Sequence, residues 1–253
     1  MVAHPAMRTT KIVATLGPAS SGEETVRGLF EAGVDVFRLN ASHGTEQERA
    51  ARARTVREVG EALGRHAGIL LDLQGPKIRL GAFEGGGCEL KTGARFVITV
   101  EPVLGTQQRA STTYAGFAAD VRPGNRVMLN DGAVELRAIS SDGVSVEFEV
   151  VSGGWISDRK GINLPGVRVS SPALTRKDLA DLRSGLQAGI DFVALSFVRG
   201  RDDLLRLRLY LEELGARVPV IAKLEKPEAW ERLDEILEES DGVMVARGDL
   251  GVE

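Results

Sequence analysis

The sequence predicts an α/β fold, a parallel array of alternating strands and helices with a small all-β domain inserted after the third strand. Three observations carry this. Short β-rich runs alternate with helical runs at both ends of the chain, and residues 82–159 instead hold Val- and Phe-bearing segments separated by glycines. Reactive polar side chains also cluster where the runs at the two ends should stop.

Taken in order, residues 11–15 form the first strand. The next helix starts at a capping box, Ser21 with Glu24 three residues on, and stops at Gly33. Residues 34–39 make a second strand. Thr45 with Glu48 then caps a helix carrying Val56, Val59 and Leu63, and residues 69–71 make a third strand. Within the insertion, Asp142-Gly143 separates two alternating runs, 134–139 and 144–150, which is a strong hairpin signal.

The alternation resumes with a helix from Thr175 that places Leu179, Leu182 and Leu186 on one face and ends at Gly189. A strand at 192–197, a helix at 204–214 and a strand at 218–224 follow. Pro227 suits the first turn of another helix, with Trp230, Leu233, Ile236 and Leu237 inward, before a sixth strand at 242–246. The chain thus divides into 1–81, an inserted small all-β domain at 82–159, and 160–253.

An open doubly wound sheet and a (β/α)₈ barrel both fit such an array. Gly17-Pro18 stands after the first strand where the dinucleotide-binding fold needs its glycine fingerprint, which weakens the open sheet. In a barrel, chemistry gathers at the C-terminal ends of the strands. The polar residues follow that rule: Arg38, Asn40, Ser42 and His43 end strand two, Asp72 strand three, Ser196 strand four, Lys223 and Glu225 strand five, and Arg247 and Asp249 strand six.

Composition narrows the function classes. The 253 residues are 43% hydrophobic with a formal net charge of −4, so nothing in the charge balance calls for nucleic acid or an anionic membrane as a partner. The single cysteine, Cys88, has no internal partner for a disulfide, and its neighbours Gly85, Gly86 and Gly87 suggest a loop. No apolar stretch reaches the roughly 20 residues that span a bilayer, and residues 1–8 carry no hydrophobic leader, so the expected location is cytoplasmic.

Glu225 and Asp249 are the most informative pair. Isolated acids after strands commonly cap the next helix. With Lys223 and Gly248 beside them in sequence, a divalent metal site next to an anionic ligand becomes the sharper reading, since Mg²⁺ takes one or two carboxylates and fills its shell with substrate oxygens and water. Lys223 would offset charge on a phosphoryl group in transit, the bland alternative being an ion pair with Glu225. Arg38 can clamp a phosphate bidentately or simply lie on the surface. His43 is a candidate base or an ordinary loop residue.

These segments resemble pyruvate kinase. Lys11-Ile-Val-Ala-Thr-Leu-Gly-Pro-Ala-Ser20, Arg38-Leu-Asn-Ala-Ser-His-Gly44, Leu71-Asp-Leu-Gln-Gly-Pro-Lys-Ile-Arg79, Lys160-Gly-Ile-Asn-Leu-Pro-Gly166, Leu195-Ser-Phe-Val198, Ile221-Ala-Lys-Leu-Glu225 and Met244-Val-Ala-Arg-Gly-Asp-Leu-Gly-Val-Glu253 occur in family order across nearly the whole chain. The resemblance implies a (β/α)₈ TIM-type barrel, six of its eight strands present, with an inserted small all-β lid domain. It implies phosphoryl transfer from phosphoenolpyruvate to ADP, giving ATP and an enolate that is protonated to pyruvate.

By position the resemblance assigns catalysis to Lys223 and Arg38 and substrate binding to Arg38, Ser196, Lys223, Gly248 and Asp249. Asn40, Ser42, His43, Arg79 and Lys160 match nucleotide-side residues. Glu225 and Asp249 match the ligands of Mg²⁺, for which Mn²⁺ can substitute. Asn40, Ser42, Asp72 and the carbonyl of Leu73 match a K⁺ site. One departure bears on that site: potassium-dependent members read Thr-Lys-Gly-Pro-Glu after the aspartate, and this chain reads Leu73-Gln-Gly-Pro-Lys77. Lys77 would put an ammonium where the ion sits, so the expectation is that K⁺ is not required. Lys226-Pro227-Glu228 departs too, where the family has Asn after the metal-binding Glu.

The family's two remaining strands and its C-terminal domain, which carries tetramer and regulatory contacts, lie beyond Glu253. Homotetramer formation is therefore not expected of this chain by itself. A non-catalytic fragment or split subunit needing a partner chain is an alternative, as is a Mg²⁺-dependent pyruvate-enolate aldolase. The lid and Lys160-Gly-Ile-Asn-Leu-Pro-Gly166 speak against the aldolase, which has no nucleotide to cover.

Overall fold

A computed structural model of the protein describes residues 9–252; the leader reading at residues 1–8 and the terminal Glu253 lie outside the described residues. The chain forms two compact units, one of residues up to 75, 173–223 and 232–244, the other of residues 76–172, 224–231 and 245 onward.

The first unit opens with β1 (Val13–Leu16), α1 (Glu23–Glu31), β2 (Val36–Asn40), α2 (Glu46–Ala62) and β3 (Gly68–Asp72). The capping box expected at Ser21 is absent. Pro18 starts a short 3₁₀ turn over Pro18–Ser20, Ser21 donates its hydroxyl to the Gly17 carbonyl at 2.5 Å, and Gly22 takes the N-cap of α1. The box at α2 forms as expected: Thr45 Oγ1 accepts from the Glu48 amide at 3.2 Å, and Glu48 Oε2 accepts from the Thr45 amide at 2.6 Å. That backbone bond is the main reason the Glu48 carboxyl titrates below its ordinary value.

The second unit holds β4 (Gly87–Leu90), β5 (Arg95–Thr99), β6 (Arg109–Ser111), the single-turn α3 (Phe117–Asp120), β7 (Arg126–Leu129), β8 (Val134–Ser141), β9 (Ser145–Ser152), β10 (Gly154–Ser157) and β11 (Ile162–Asn163). Six of these strands make one sheet in the order β11-β7-β8-β9-β5-β6, and β10 pairs with β4. Alternation explains the core: Leu136, Val146, Phe148 and Val150 point inward and are fully buried, and Phe148 packs on Phe117 with ring centroids 6.1 Å apart. The Asp142-Gly143 turn joins β8 to β9, with Gly143 at φ 87° and Asp142 Oδ1 accepting from the amides of Val144 and Ser145 at 2.9 and 2.6 Å. Cys88 is not in a loop. It lies on β4, 9% exposed, where burial raises its thiol pKa.

The chain returns to the first unit through α4 (Arg176–Gln187), β12 (Phe192–Leu195), α5 (Arg201–Glu213), β13 (Val220–Leu224), α6 (Pro227–Glu231), α7 (Leu233–Glu239), β14 (Gly242–Val245) and α8 (Arg247–Leu250), with α6 and α8 assigned to the second unit. The six strands β1-β2-β3-β12-β13-β14 neighbour one another in chain order, and each pair from β1 to β13 is parallel, as a βα barrel array requires. Strands β3, β12 and β13 are almost continuously buried, as expected of parallel strands covered on both faces.

Two helical faces differ from the pattern read in the sequence. The single helix expected after Pro227 is two, broken at Arg232, and of the four residues expected inward only Ile236 is fully buried, with Trp230 45% and Leu237 48% exposed. In α4 the buried positions are Asp178, Asp181, Leu182 and Gly185, so two carboxylates lie on the inward face beside the expected leucine stripe. Gly185 is there because a Cβ would come within 2.6 Å of Leu71 Cδ2.

Candidate active site

In the first unit, four polar side chains converge from the ends of adjacent strands. Arg38 on β2 pairs with Leu70 of β3 in register, so Asp72, two residues further, lies on the same face. The Arg38 guanidinium holds Asp72 Oδ2 through Nη2 at 2.5 Å and Nε at 2.7 Å, while Nη1 donates to Thr15 Oγ1 on β1 at 2.9 Å. From β13, the Lys223 ammonium lies 3.1 Å from Asp72 Oδ1 and donates to Ser196 Oγ at 2.7 Å. Ser196 donates onward to the Leu73 carbonyl at 2.7 Å.

Burial makes this arrangement chemically distinctive. Asp72 is 1%, Ser196 2% and Lys223 8% exposed, so the charges lie where water screens them little. Within this group two cations share one carboxylate. That surplus of positive charge on rigid strand ends, with the Arg38 side chain still 25% exposed, suits an incoming anion with phosphate geometry.

The backbone around Ser196 is held tightly. Phe197 has φ 57°, an unusual conformation for a bulky residue, and Gly75 has φ 66°. A Cβ at Gly75 would lie 2.9 Å from Phe197 Cδ2 and 3.1 Å from Ser196 Cβ. Asp178 fixes the same turn: its Oδ1 accepts from the Gly75 amide at 3.1 Å and its Oδ2 from the Thr175 amide at 2.9 Å, so one buried carboxylate caps α4 and anchors the turn.

Beyond β2 the chain enters an Asx turn in which Asn40 Oδ1 accepts from the Ser42 amide at 2.9 Å, and the His43 amide donates to the Asn40 carbonyl at 3.3 Å. Asn40 pairs with Asp72 in register.

In the second unit, Glu225 is 1% exposed directly after β13, and Asp249 lies in the single turn of α8 with its side chain 29% exposed. Lys77 Nζ is 3.8 Å from Asp249 Oδ1. No group of three or more His, Cys, Asp or Glu suited to a metal occurs among the described residues. Two hard carboxylates are nevertheless what Mg²⁺ takes from a protein when substrate oxygens and water complete its shell. A Cβ at Gly248 would meet nothing within 4 Å, which leaves open space at the first turn of α8 beside Asp249. The donor chemistry of the two carboxylates therefore suits the ion.

Arg79 forms an antiparallel bridge with Gly161, and its Nη1 donates to the Arg159 carbonyl at 3.0 Å. That bridge brings together the two ends of the lid segment, and with them Arg79 and Lys160.

Thr15 and Asp178 support these residues and are not singled out by the sequence. Thr15 lies on the first strand run, but a lone threonine on a strand gives no signal of its own. Among the described residues no helix is long and apolar enough to cross a membrane.

Residues 7–253 match the family model described as "Pyruvate kinase, barrel domain". The chain is 51% identical over 246 residues to a pyruvate kinase of Corynebacterium glutamicum, covering 97% of this chain and 52% of that protein. A pyruvate kinase of Mycobacterium tuberculosis is 49% identical with the same coverage. A crystal structure of a pyruvate kinase from Cryptosporidium parvum superposes with a TM-score of 0.90 at 35% identity, covering 96% of this chain and 52% of that one. The chain spans about half the length of the relatives it matches.

Proposed function

Since the chain belongs to the pyruvate kinase family, we propose that it supplies the phosphoenolpyruvate, nucleotide and metal residues for phosphoryl transfer from phosphoenolpyruvate to ADP. The observation that carries the proposal is the buried cluster of Arg38, Asp72, Ser196 and Lys223, with two cations on one carboxylate.

Arg38 binds the phosphate of phosphoenolpyruvate bidentately in place of part of its bond to Asp72. The bond from phosphorus to the enol oxygen breaks as a terminal oxygen of the ADP β-phosphate bonds to phosphorus. Lys223, already fixed by Ser196 and Asp72, stays close to the transferring group and to the enolate oxygen left behind, where a preorganised ammonium counts most. The enolate carbon then takes a proton from solvent water to give pyruvate. The backbone amides of Gly248 and Asp249 hold the substrate carboxylate.

Glu225 and Asp249 would hold Mg²⁺, or Mn²⁺ in its place. When bound, the ion supplies Lewis-acid stabilisation of the developing negative charge. Asn40, Ser42, His43, Arg79 and Lys160 bind the nucleotide; the bridge between Arg79 and Gly161 supports the roles of Arg79 and Lys160, because it brings these two cations together.

We further propose that K⁺ is not required. Asp72, the carboxylate that would face the ion, already pairs with two fixed cations. A reducing, cytoplasmic setting is supported by the single buried cysteine.

The experiment is a coupled assay of pyruvate formation from phosphoenolpyruvate, ADP and Mg²⁺, run on the full-length gene product and on the 253-residue chain. Turnover by the full-length product supports the proposal, and none from a folded, full-length preparation refutes it. Turnover restored only by a second polypeptide would favour the split-subunit alternative.

A further inference from the structure

A second buried charge cluster in the first unit lies outside the phosphate-holding group. Arg49 on α2 is 5% exposed and Asp181 on α4 is 3% exposed. Arg49 Nη2 donates to Asp181 Oδ1, and Lys177 Nζ donates to Asp181 Oδ2 at 2.5 Å. Both cations then reach the same short loop after β2. Lys177 Nζ donates to the Ala41 carbonyl at 2.7 Å, and Arg49 Nη1 donates to the carbonyls of Gly44 at 3.1 Å and His43 at 3.4 Å.

Burying charge is costly unless partners and remaining hydrogen bonds are all supplied, and an apolar pair of similar volume would join α2 to α4 without that cost. What the charges do, and a leucine pair would not, is fix three backbone carbonyls of one loop. That loop contains Ser42 and His43 and follows directly on Asn40. By contrast, Arg38 and Lys223 are held by Asp72, Thr15 and Ser196, and the hydrogen bonds of that group do not include Arg49, Lys177 or Asp181. The link on the page between the two groups is backbone: the Ala41 amide, next to the carbonyl that Lys177 holds, donates to the Asp72 carbonyl at 2.9 Å.

We infer that Asp181, acting through Arg49 and Lys177, is a positioning residue that sets the 40–44 loop for the nucleoside diphosphate, and that loosening it impairs use of ADP while sparing phosphoenolpyruvate. The inference rests on the nucleotide role proposed for Asn40, Ser42 and His43. A network that only staples α2 to α4 would act differently, because softening the helices would disturb both substrates or neither.

Lys177 offers the cleanest test, since its side chain is 50% exposed and its removal leaves the Arg49–Asp181 pair in place. In the full-length gene product, Lys177→Met should raise KM for ADP about five- to tenfold while KM for phosphoenolpyruvate stays within about twofold. Asp181→Asn should do the same more strongly, and Arg49→Lys should recover part of what Arg49→Met loses. Amide exchange should quicken at residues 41–45 in Lys177→Met and stay unchanged at 53–59 of α2. Equal rises in both KM values, or an unchanged KM for ADP despite a freed loop, would overturn the inference. If the wild-type protein shows no turnover, the proposed activity fails by itself. Affinity for MgADP by calorimetry then decides: weaker binding by Lys177→Met supports the loop role, and equal binding overturns it.

Discussion

Lys223 reaches across from β13 to donate to the Ser196 hydroxyl at 2.7 Å, and Ser196 passes that order on to the Leu73 carbonyl. Ser196 therefore acts on Lys223 from behind. Ser196→Ala should lower kcat about tenfold or more, as expected for losing one hydrogen bond to a buried charged group worth about 1.5–3 kcal/mol. Phosphoenolpyruvate KM should move less than kcat. Steady-state kinetics on the full-length protein checks this, and an unchanged kcat would mean that the ammonium keeps its place without Ser196.

Gly75 tests the rigidity of the same corner. With φ 66° and Phe197 Cδ2 within 2.9 Å of any Cβ, Gly75→Ala should destabilise the protein by about 1–3 kcal/mol. Urea unfolding would measure it. A neutral or stabilising result would show that the Phe197 backbone relaxes freely.

The proposed independence from monovalent ions rests on the charge count at Asp72. Activity in buffers whose only monovalent cation is tetramethylammonium should remain within about twofold of that in K⁺, since a fixed ammonium or guanidinium does electrostatically what the ion would do. A collapse on removing K⁺ and NH₄⁺, reversed on adding K⁺, would contradict this.

The lid hairpin has a pH signature. Amide donors from Ser145 and Val144 hold the Asp142 carboxyl below its ordinary pKa. A carboxylate whose folded pKa is depressed stabilises the fold above its unfolded pKa, and that contribution is lost as the pH falls through the folded value. Asp142→Ala should therefore lower the melting temperature at pH 7, with the gap to wild type closing below about pH 4. A gap that persisted unchanged at pH 3 would assign the effect to turn geometry and not to charge.

Periodicity and capping chemistry made most of the βα alternation legible, because Thr45 and Glu48, Thr175, and the apolar strand runs each have a local cause. Ser21 misled because Pro18 formed a competing turn just before it. The burial of Asp178 and Asp181 was illegible for a different reason. A carboxylate on an inward helix face is stable only with partners, and beside the local ones, Thr175 for Asp178 and Lys177 for Asp181, each has one from far away: Gly75 is 103 positions from Asp178, and Arg49 is 132 from Asp181. The rim residues Arg38, Asp72, Ser196 and Lys223 could be read from strand-end placement, but Thr15 could not, since only the register of β1 against β2 brings it to Arg38.

The division of labour between Arg38 and Lys223 is the most direct test of the phosphoryl-transfer site. In the full-length protein, Arg38→Lys keeps the charge but loses the bidentate fork, and should raise KM for phosphoenolpyruvate about tenfold or more. Lys223→Met should instead lower kcat about a thousandfold with that KM nearly unchanged, because its charge counts chiefly in the transition state. Finding this split supports the assignment; kcat within about tenfold of wild type in Lys223→Met would contradict it.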